Sequence, residues 1–216
     1  MPSTEYTEYE DGLPAIIQGR RSVRRYAAAR VDPGLVDRLL LAASAAPSAH
    51  NRQPWRFAVL EDAVWKHRLA TAMGDRLRQD RLADGDDPDE VERDVTRSHA
   101  RITEAPLVIL VCLDTRDMDQ YPDERRHAAE HVMAVQSTAM AMQNILLAAH
   151  AEGMGACVMC APLFCGPTVA EALRLPDGWE PQSLVTLGPP ANVGKERPRL
   201  PLDKIVWRPA SPTASE

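Results

Sequence analysis

The feature that most constrains this 216-residue chain is one long, uninterrupted pattern of helix-forming residues from Pro122 to Glu152. A helix of about 30 residues is roughly 45 Å long, which is more than a small domain needs. Its middle, Met133–Ala149, is small or apolar around almost its whole circumference, so we expect it to be buried on every side. A single domain of this size cannot easily surround such a helix. The pattern therefore predicts a homodimer in which a second subunit covers it.

Shorter patterns on both sides of this helix alternate between helices and strands. Asp32-Pro33 predicts a helix start, and the apolar run Leu107–Leu113 is typical of a strand covered on both faces. The other predicted elements are a short helix ending near Gly19, the Asp32 helix continuing to about Ala46, a strand over Trp55–Leu60, helices from Asp62 to about Leu82 and then to about Thr103, a strand over Ala156–Ala161, a helix over Gly166–Leu175, a strand over Gln182–Leu187 and an extended segment over Leu202–Trp207. This alternation predicts an α/β or α+β sheet wrapped by helices, with one domain over residues 13–208 and flexible ends at 1–12 and 209–216.

The two helices around the acidic break Asp84–Asp89 carry arginine and aspartate on nearly every face. Such a pair suits an exposed lid or hairpin arm better than a core. We therefore expect residues 75–103 to lie outside the main hydrophobic layer.

Composition narrows the function classes. Hydrophobic and charged contents of 44% and 26% are typical of a soluble globular protein. A net charge of −6 argues against nucleic acid as the main partner. The polar, acidic N-terminus does not have the pattern of a signal peptide, and no run approaches the roughly 20 apolar residues of a membrane span. With four cysteines and no secretion signal, we expect free thiols and a cytoplasmic protein without a membrane partner.

One short segment departs from the acidic average: Gly19–Tyr26, GRRSVRRY, has four arginines in eight residues. Guanidinium groups stay charged in proteins and bind phosphate oxygens in pairs, and Ser22 adds a small donor beside them. We interpret the segment as the binding site for the phosphate end of flavin mononucleotide (FMN). A solvated basic loop is the alternative, because charge runs are usually exposed.

Four segments in a fixed order carry a resemblance to a known family. They are RRSVR at Arg20–Arg24, PSAHNRQPW at Pro47–Trp55, CAP at Cys160–Pro162 and RPRLPLDKI at Arg197–Ile205. Together with the long helix, they resemble the flavin-dependent nitroreductase superfamily over roughly residues 13–207. The resemblance implies an α+β nitroreductase-like fold, with a mixed or antiparallel sheet, and a homodimer holding two FMN molecules at its interface. It also implies an oxidoreductase that passes hydride from a reduced donor, expected to be NAD(P)H, through FMN to an electron-poor acceptor.

The resemblance, together with the chemistry of the side chains, indicates which positions bind FMN. Cations must converge on the phosphate, neutral donors on the ribityl chain and ring, and backbone groups on the ring edge near N5. The predicted flavin contacts are Arg20, Arg21, Ser22, Val23 and Arg24 in the first segment, Pro47, Ser48, Asn51 and Gln53 in the second (from the partner subunit in one version of the hypothesis), Met159, Cys160 and Ala161 in the third, and Arg197 and Arg199 in the fourth, of which one meets the phosphate. His50 and Asp80 are candidate substrate contacts. We expect no dedicated catalytic acid or base, because hydride passes directly between donor, flavin and acceptor.

A finer resemblance concerns the acceptor. VERDVTR at Val91–Arg97, YPDERRHAAEH at Tyr121–His131 and GWEP at Gly178–Pro181 are similar to the C-terminal reductase domain of the coenzyme F-420 gamma-glutamyl ligase. That relative implies a dehydro precursor of a deazaflavin coenzyme as acceptor, while nitroaromatics, quinones and activated alkenes remain open. The chain departs from it in having no ligase domain before Leu13 and in its NRQPW sequence.

Three alternative hypotheses about function remain open. His127, Glu130 and His131 match the H-x-x-E-H pattern of a zinc hydrolase, although burial of the long helix already accounts for that stretch, and we expect no metal. Cys157 and Cys160 could form a redox pair or hold a cluster, although small buried thiols fit them better. The third alternative is a flavin- or deazaflavin-binding protein without turnover.

Overall fold

The computed structural model describes residues 11–209, so the predicted flexible ends lie almost wholly outside the described residues. Within this range the chain forms helices and strands in the predicted order. The helices are α1 (Gly12–Gly19), α2 (Pro33–Ser44), α3 (Ala63–Ala83), α4 (Pro88–Thr103), α5 (Glu124–Ala151) and α6 (Gly166–Leu173), and the strands are β1 (Trp55–Leu60), β2 (Leu107–Asp114), β3 (Gly155–Met159) and β4 (Trp179–Gly188). Short 3₁₀ turns cover Ala49–Asn51, Ala161–Phe164 and Leu202–Lys204.

The four strands form one antiparallel sheet in the order β1-β2-β4-β3. The prediction of an α+β fold with helices around a sheet is confirmed. β4 is longer than predicted because it continues to pair with β2 beyond a bulge at Val111/Cys112, as far as Trp179 opposite Asp114. β3 is shorter than predicted and ends at Met159, before Cys160 and Ala161.

The central strand β2 divides the hydrophobic core into two layers. All eight of its residues are buried, as the continuous apolar run predicts. Because side chains alternate along a strand, Ile109 and Val111 pack in the layer that contains α2 and α5. Leu110 and Cys112 pack in the layer that contains α3 and α6. Helices therefore cover both faces of the sheet.

Four of the helices begin at an aspartate whose carboxylate accepts a hydrogen bond from a backbone N–H of the first turn. Asp32 accepts from Leu35 at 3.1 Å, in the N-cap position that the sequence predicts. Asp62, Asp87 and Asp123 do the same for α3, α4 and α5. Each of these caps satisfies a backbone donor that would otherwise have no partner within the helix, and so fixes where the helix starts.

The polar segment forms an antiparallel helical hairpin of α3 and α4. Its outer faces carry ion pairs such as Arg78–Glu92 (3.0 Å) and Arg81–Asp94 (2.6 Å). The expectation that these helices stay out of the core is only partly right, since Val91, Val95 and Ile102 are buried in a narrow stripe. Gly74 permits this packing, because a Cβ at that position would lie 3.1 Å from a methyl carbon of Val95.

α5 crosses the layer beside α2, but in one protomer only one of its faces is buried. Val132 and Met140 are 52% and 40% exposed, so the expectation of burial on every side does not hold within a single chain. Among residues 11–209, α5 is also the one helix whose length and mean hydropathy would allow it to cross a membrane. The sequence analysis found no run of about 20 apolar residues, but α5 does meet this weaker criterion of helix length and mean hydropathy. A core helix packed against a sheet, as α5 is, has the same length and hydropathy.

The segment after β4 differs from the prediction. Leu202–Lys204 forms a 3₁₀ turn rather than part of an extended segment, and residues 195–209 are exposed. The sequence predicted an extended segment here, and within the described residues no strand pairs with it.

Candidate flavin-binding site

The arginine segment is fixed along β3, at one edge of the sheet. The backbone N–H of Val23 donates to the carbonyl of Ala156 at 3.0 Å, and Ser22 forms a parallel bridge with the same residue. Val23 is buried, whereas Arg24 is exposed. This close approach requires a glycine at position 155, because a Cβ there would lie 2.7 Å from Cγ1 of Val23. The segment therefore behaves as an added edge of the sheet that presents arginines outward.

Tyr26 anchors the end of this segment. Its hydroxyl oxygen lies 2.7 Å from the carbonyl oxygen of Val23, and 2.9 Å and 2.8 Å from the carbonyl and hydroxyl oxygens of Thr186 in β4. Burial raises the pKa of Tyr26 to about 12. The sequence analysis assigned Arg20–Arg24 to the flavin site and did not include this residue. The sequence feature that could have indicated Tyr26 is its position directly after the two charged residues Arg24 and Arg25.

The chain beyond β4 returns to the arginine segment. Ala191 donates its N–H to the carbonyl of Arg25 at 3.0 Å, and the guanidinium of Arg21 pairs with Glu196 at 3.4 Å. Gly194 is needed for this contact, since a Cβ there would lie 2.9 Å from Cβ of Arg21. Arg197 directly follows Glu196 in the sequence. The structure thus brings the residues directly before the fourth predicted segment to the first segment, and the choice between Arg197 and Arg199 stays a prediction.

The electrostatics at this edge favour an anion. Burial lowers the pKa of His150, at the end of α5, and the charges of Arg20 and Arg21 lower it further. Burial raises the pKa of Cys157 in β3, while Arg24, Arg101 and Arg20 act in the opposite direction. Several guanidinium groups therefore act on the same small region. This donor set fits a phosphate group, and His150, which the sequence analysis did not assign to the site, lies beside it.

The third predicted segment follows β3 directly. Cys160 is exposed, and Ala161 opens the 3₁₀ turn that leads to Cys165 and α6. Asp80 of α3 pairs with Arg76 at 2.8 Å, and both charges act on the pKa of the Cys165 thiol, which burial raises. Asp80, predicted as a substrate contact, therefore lies near the loop that carries the third segment.

The second predicted segment lies at the opposite edge of the sheet. Pro47–Pro54 leads into β1, which is three strand spacings, or about 14 Å, from β3. Ser48 accepts a hydrogen bond from the N–H of Gln53 at 3.0 Å, which closes this loop on itself. His50, Asn51 and Gln53 have φ angles of 50°, 54° and 49°, in the left-handed region that non-glycine residues rarely adopt. Within one chain, the structure does not bring this segment to the other three.

The structure also bears on the alternative hypotheses of a zinc site and of paired cysteines. His127 and His131 are exposed on α5 while Glu130 is buried, and in the part of the chain that the structure describes these three do not form a ligand set. All four cysteines are free, as expected, and Cys157 is buried while Cys160 is exposed.

Comparison with known proteins decides the family. Residues 17–189 match the model described as "Nitroreductase family". The chain belongs to the nitroreductase family. It is 31% identical over 212 residues to the 5,6-dimethylbenzimidazole synthase of Rhodospirillum rubrum, covering 94% of this chain and 92% of that protein. It is 30% identical over 214 residues to a protein named NADH dehydrogenase in Thermus thermophilus, covering 88% and 92%.

A solved structure agrees with this assignment. A putative nitroreductase from Desulfovibrio desulfuricans in complex with FMN superposes with a TM-score of 0.71 at 27% identity, covering 94% of this chain and 100% of that one. The predicted nitroreductase-like fold is confirmed. The chain is an FMN-dependent oxidoreductase. The finer resemblance to the F-420 ligase domain stays a prediction.

Proposed function

We propose that this nitroreductase-family protein is a cytoplasmic, homodimeric enzyme that oxidises NAD(P)H and reduces a small electron-poor acceptor at FMN bound between its subunits. The observation that carries the proposal is the arginine segment, held along β3 and joined there by the segment after β4. The names of two relatives, NADH dehydrogenase and NAD(P)H nitroreductase, support a nicotinamide donor.

Two observations support the dimer. First, the second flavin segment lies at the sheet edge opposite the other three, so a second subunit is the simplest source of a complete site. Second, the outer face of α5 and the segment after β4 expose large apolar side chains. The exposed apolar residues of these two regions are Val132, Met140, Leu200, Leu202, Ile205, Val206 and Trp207. Apolar patches of this kind mark protein interfaces.

Each segment then has a defined task. Arg20 and Arg24, with Arg197 or Arg199, would hold the phosphate by paired charge-assisted hydrogen bonds. Arg21 and Ser22 would reach the ribityl chain and the pyrimidine side of the ring, where a positive charge favours the reduced state. The backbone of residues 159–161 would line the ring edge. When bound, FMN supplies the relay of hydride between donor and acceptor, so the protein needs only to bind, orient and shield the reactants.

The acceptor is the part of the proposal that depends most on resemblance. Asp80 lies near the loop after β3, where it could meet a polar substrate, and the F-420 resemblance favours a dehydro precursor of a deazaflavin coenzyme. A second candidate activity is the one named for the Rhodospirillum relative, because the match covers almost the full length of both chains. It predicts that 5,6-dimethylbenzimidazole is produced.

Flavin retention tests the phosphate assignment. The double variant Arg20→Ala/Arg199→Ala removes two charged contacts worth roughly 1.5–3 kcal/mol each, so we expect FMN affinity to fall at least about a hundredfold. The control Arg68→Ala/Arg125→Ala removes two exposed arginines from α3 and α5 and should stay yellow after gel filtration. A yellow Arg20/Arg199 variant would refute the assignment.

Anaerobic turnover tests the reaction. Mixing with NADH or NADPH should bleach the bound flavin, and a panel of nitroaromatic, quinone, alkene and deazaflavin-precursor acceptors should restore its colour at different rates. No bleaching with either nucleotide would instead support a flavin-binding protein without turnover. Appearance of 5,6-dimethylbenzimidazole in air would favour the second activity. Light scattering that shows a monomer at micromolar concentration would remove the interfacial site.

A further inference from the structure

We propose that His50, Asp119 and Glu130 form a binding site for a divalent transition-metal ion. One ligand atom from each residue, an imidazole nitrogen and two carboxylate oxygens, lies within 4.8 Å of the others. The three come from separate parts of the chain: the 3₁₀ turn before β1, the loop after β2 and the second turn of α5. The inference does not depend on the proposed flavin chemistry.

Glu130 is the observation that points to a ligand. The residue is 3% exposed, and its Oε2 atom is buried without a hydrogen-bond partner. Across residues 11–209, no arginine, lysine or histidine lies within ion-pair distance of its carboxylate. A buried carboxylate is costly unless it is paired or coordinates a metal. A cation held between Glu130 and its two neighbours would provide the missing partner.

The surrounding structure holds the other two ligands in place. The N–H of Ala49 donates to the hydroxyl of Ser137 at 3.3 Å, which attaches the turn carrying His50 to α5. The turn also holds His50 at φ 50°, a strained conformation of the kind that clusters at functional sites. Arg52 pairs with Oδ1 of Asp119, so we assign Oδ2 to the metal.

The charges around the site suit a divalent cation. Two carboxylates and one guanidinium leave a net charge of about −1 before the neutral imidazole is counted. One nitrogen and two oxygen ligands fit Zn²⁺ and also Mn²⁺ or Fe²⁺. Zinc ligands at about 2.1 Å from the ion lie roughly 3.4 Å apart, so the ligand atoms, which lie within 4.8 Å of one another, would approach by up to about 1.4 Å on binding. Three protein ligands would leave a coordination position open for water.

This set differs from the H-x-x-E-H hypothesis, although both use Glu130. There the partners are His127 and His131 of the same helix, which are exposed. Here the partners come from other elements. The two assignments are separated by variants that remove one set of histidines or carboxylates and keep the other.

Isothermal titration of the flavin-loaded protein with Zn²⁺, and separately with Mn²⁺, tests the site. We expect one ion per chain, and affinity lowered at least about tenfold in Glu130→Gln and in Asp119→Asn, as befits loss of a direct ligand. Glu124→Gln, an exposed glutamate on the same helix, and His127→Asn/His131→Asn should bind as the unchanged protein does. Zn²⁺ should also raise the melting temperature of the unchanged protein but not that of Glu130→Gln.

The outcomes separate cleanly. Unchanged Zn²⁺ and Mn²⁺ affinity in Glu130→Gln or Asp119→Asn would overturn the proposal, and so would the absence of any binding by the unchanged protein. Loss of binding only in the His127/His131 variant would move the site to the helix surface. If Glu130→Gln does not fold, Asp119→Asn alone decides, because Asp119 is partly exposed and its replacement removes no buried packing.

Discussion

The two edges of the sheet hold their predicted flavin segments in different ways. At the β3 edge, the arginine segment is bound to its own protomer by backbone hydrogen bonds, by the Tyr26 hydroxyl and by the segment after β4. At the β1 edge, the Pro47–Pro54 loop is closed by its own hydrogen bonds, is attached to other elements by the Ala49–Ser137 hydrogen bond and the Arg52–Asp119 ion pair, and contains three residues with positive φ.

We interpret this difference as a difference in the roles that the two edges would have in binding flavin. The β3 edge is held by contacts within one chain, and under the proposed function its guanidinium groups would bind the phosphate. The β1 edge carries neutral polar groups in a strained loop, which is the arrangement expected where the backbone must match something outside its own core. A single chain would then contribute two unlike halves to two different sites in a dimer. The predictions below test that division.

The largest effect should come from disturbing the β3 edge. In Gly155→Ala, the new Cβ would lie 2.7 Å from Cγ1 of Val23 and 3.2 Å from Cβ of Pro190, so the arginine segment must shift. We expect a loss of about 1–3 kcal/mol in the free energy of unfolding, together with weaker FMN binding. Urea denaturation and flavin titration measure the two effects.

Gly166→Ala is the matched control, because its Cβ would meet no atom closer than 3.9 Å. It should change neither quantity appreciably. If Gly155→Ala also left FMN affinity unchanged, the arginine segment would not depend on its attachment to β3.

A smaller effect should follow removal of the Tyr26 hydroxyl. Tyr26→Phe leaves the buried hydroxyl of Thr186 with one partner fewer, and we expect a loss of about 1–2 kcal/mol in the free energy of unfolding. Tyr121→Phe, whose ring lies under the guanidinium of Arg126, provides the comparison and should cost less. Equal costs in the two variants would mean that the anchor contributes little.

The same hydroxyl gives a pH dependence whose sign is fixed. The pKa of Tyr26 is raised from 10.0 to about 12 by folding, so the unfolded chain loses this proton first. Stability is therefore retained below pH 10 and falls between about pH 10 and 12. Melting temperatures across that window should fall less steeply in Tyr26→Phe, and parallel curves would contradict the assignment.

The smallest effect, and one of opposite sign, should come from the β1 edge. Gln53→Gly removes the strain of a non-glycine residue at φ 49° and also increases the freedom of the unfolded chain. We expect the flavin-free protein to gain up to about 1 kcal/mol while FMN affinity falls. Gln120→Gly, whose φ is not positive, should show no such gain. Unchanged FMN affinity in Gln53→Gly would show that the loop has no part in binding flavin.

Much of the fold could be predicted because local patterns and tertiary packing agree. β2 is an example: its continuous apolar run requires cover on both faces, and the two core layers provide it. The Asp32 cap of α2 could also be predicted from the sequence, because capping depends on neighbouring residues alone. The conformation of Leu202–Trp207 could not be predicted, because an extended segment becomes a strand only where the free edge of a sheet lies within reach.

The site was less predictable than the fold for a related reason. The arginines were visible in sequence because their charge contrasts with an acidic chain. Tyr26 and His150 act through contacts with Thr186 and with Arg20, which are distant in sequence. The cluster of His50, Asp119 and Glu130 joins three elements that are separate in sequence. Residues that converge only after folding leave no spacing to recognise.

The α3–α4 hairpin has a consequence for its tolerance of substitution. Its two helices are joined by a thin buried stripe and by two ion pairs between them, Arg78–Glu92 and Arg81–Asp94. Contacts of that kind tolerate exchange of one charged residue for another far better than interlocked apolar surfaces do. The outer surface of the hairpin should therefore accept charge-exchanging substitutions at less cost in stability than the buried strands of the sheet do.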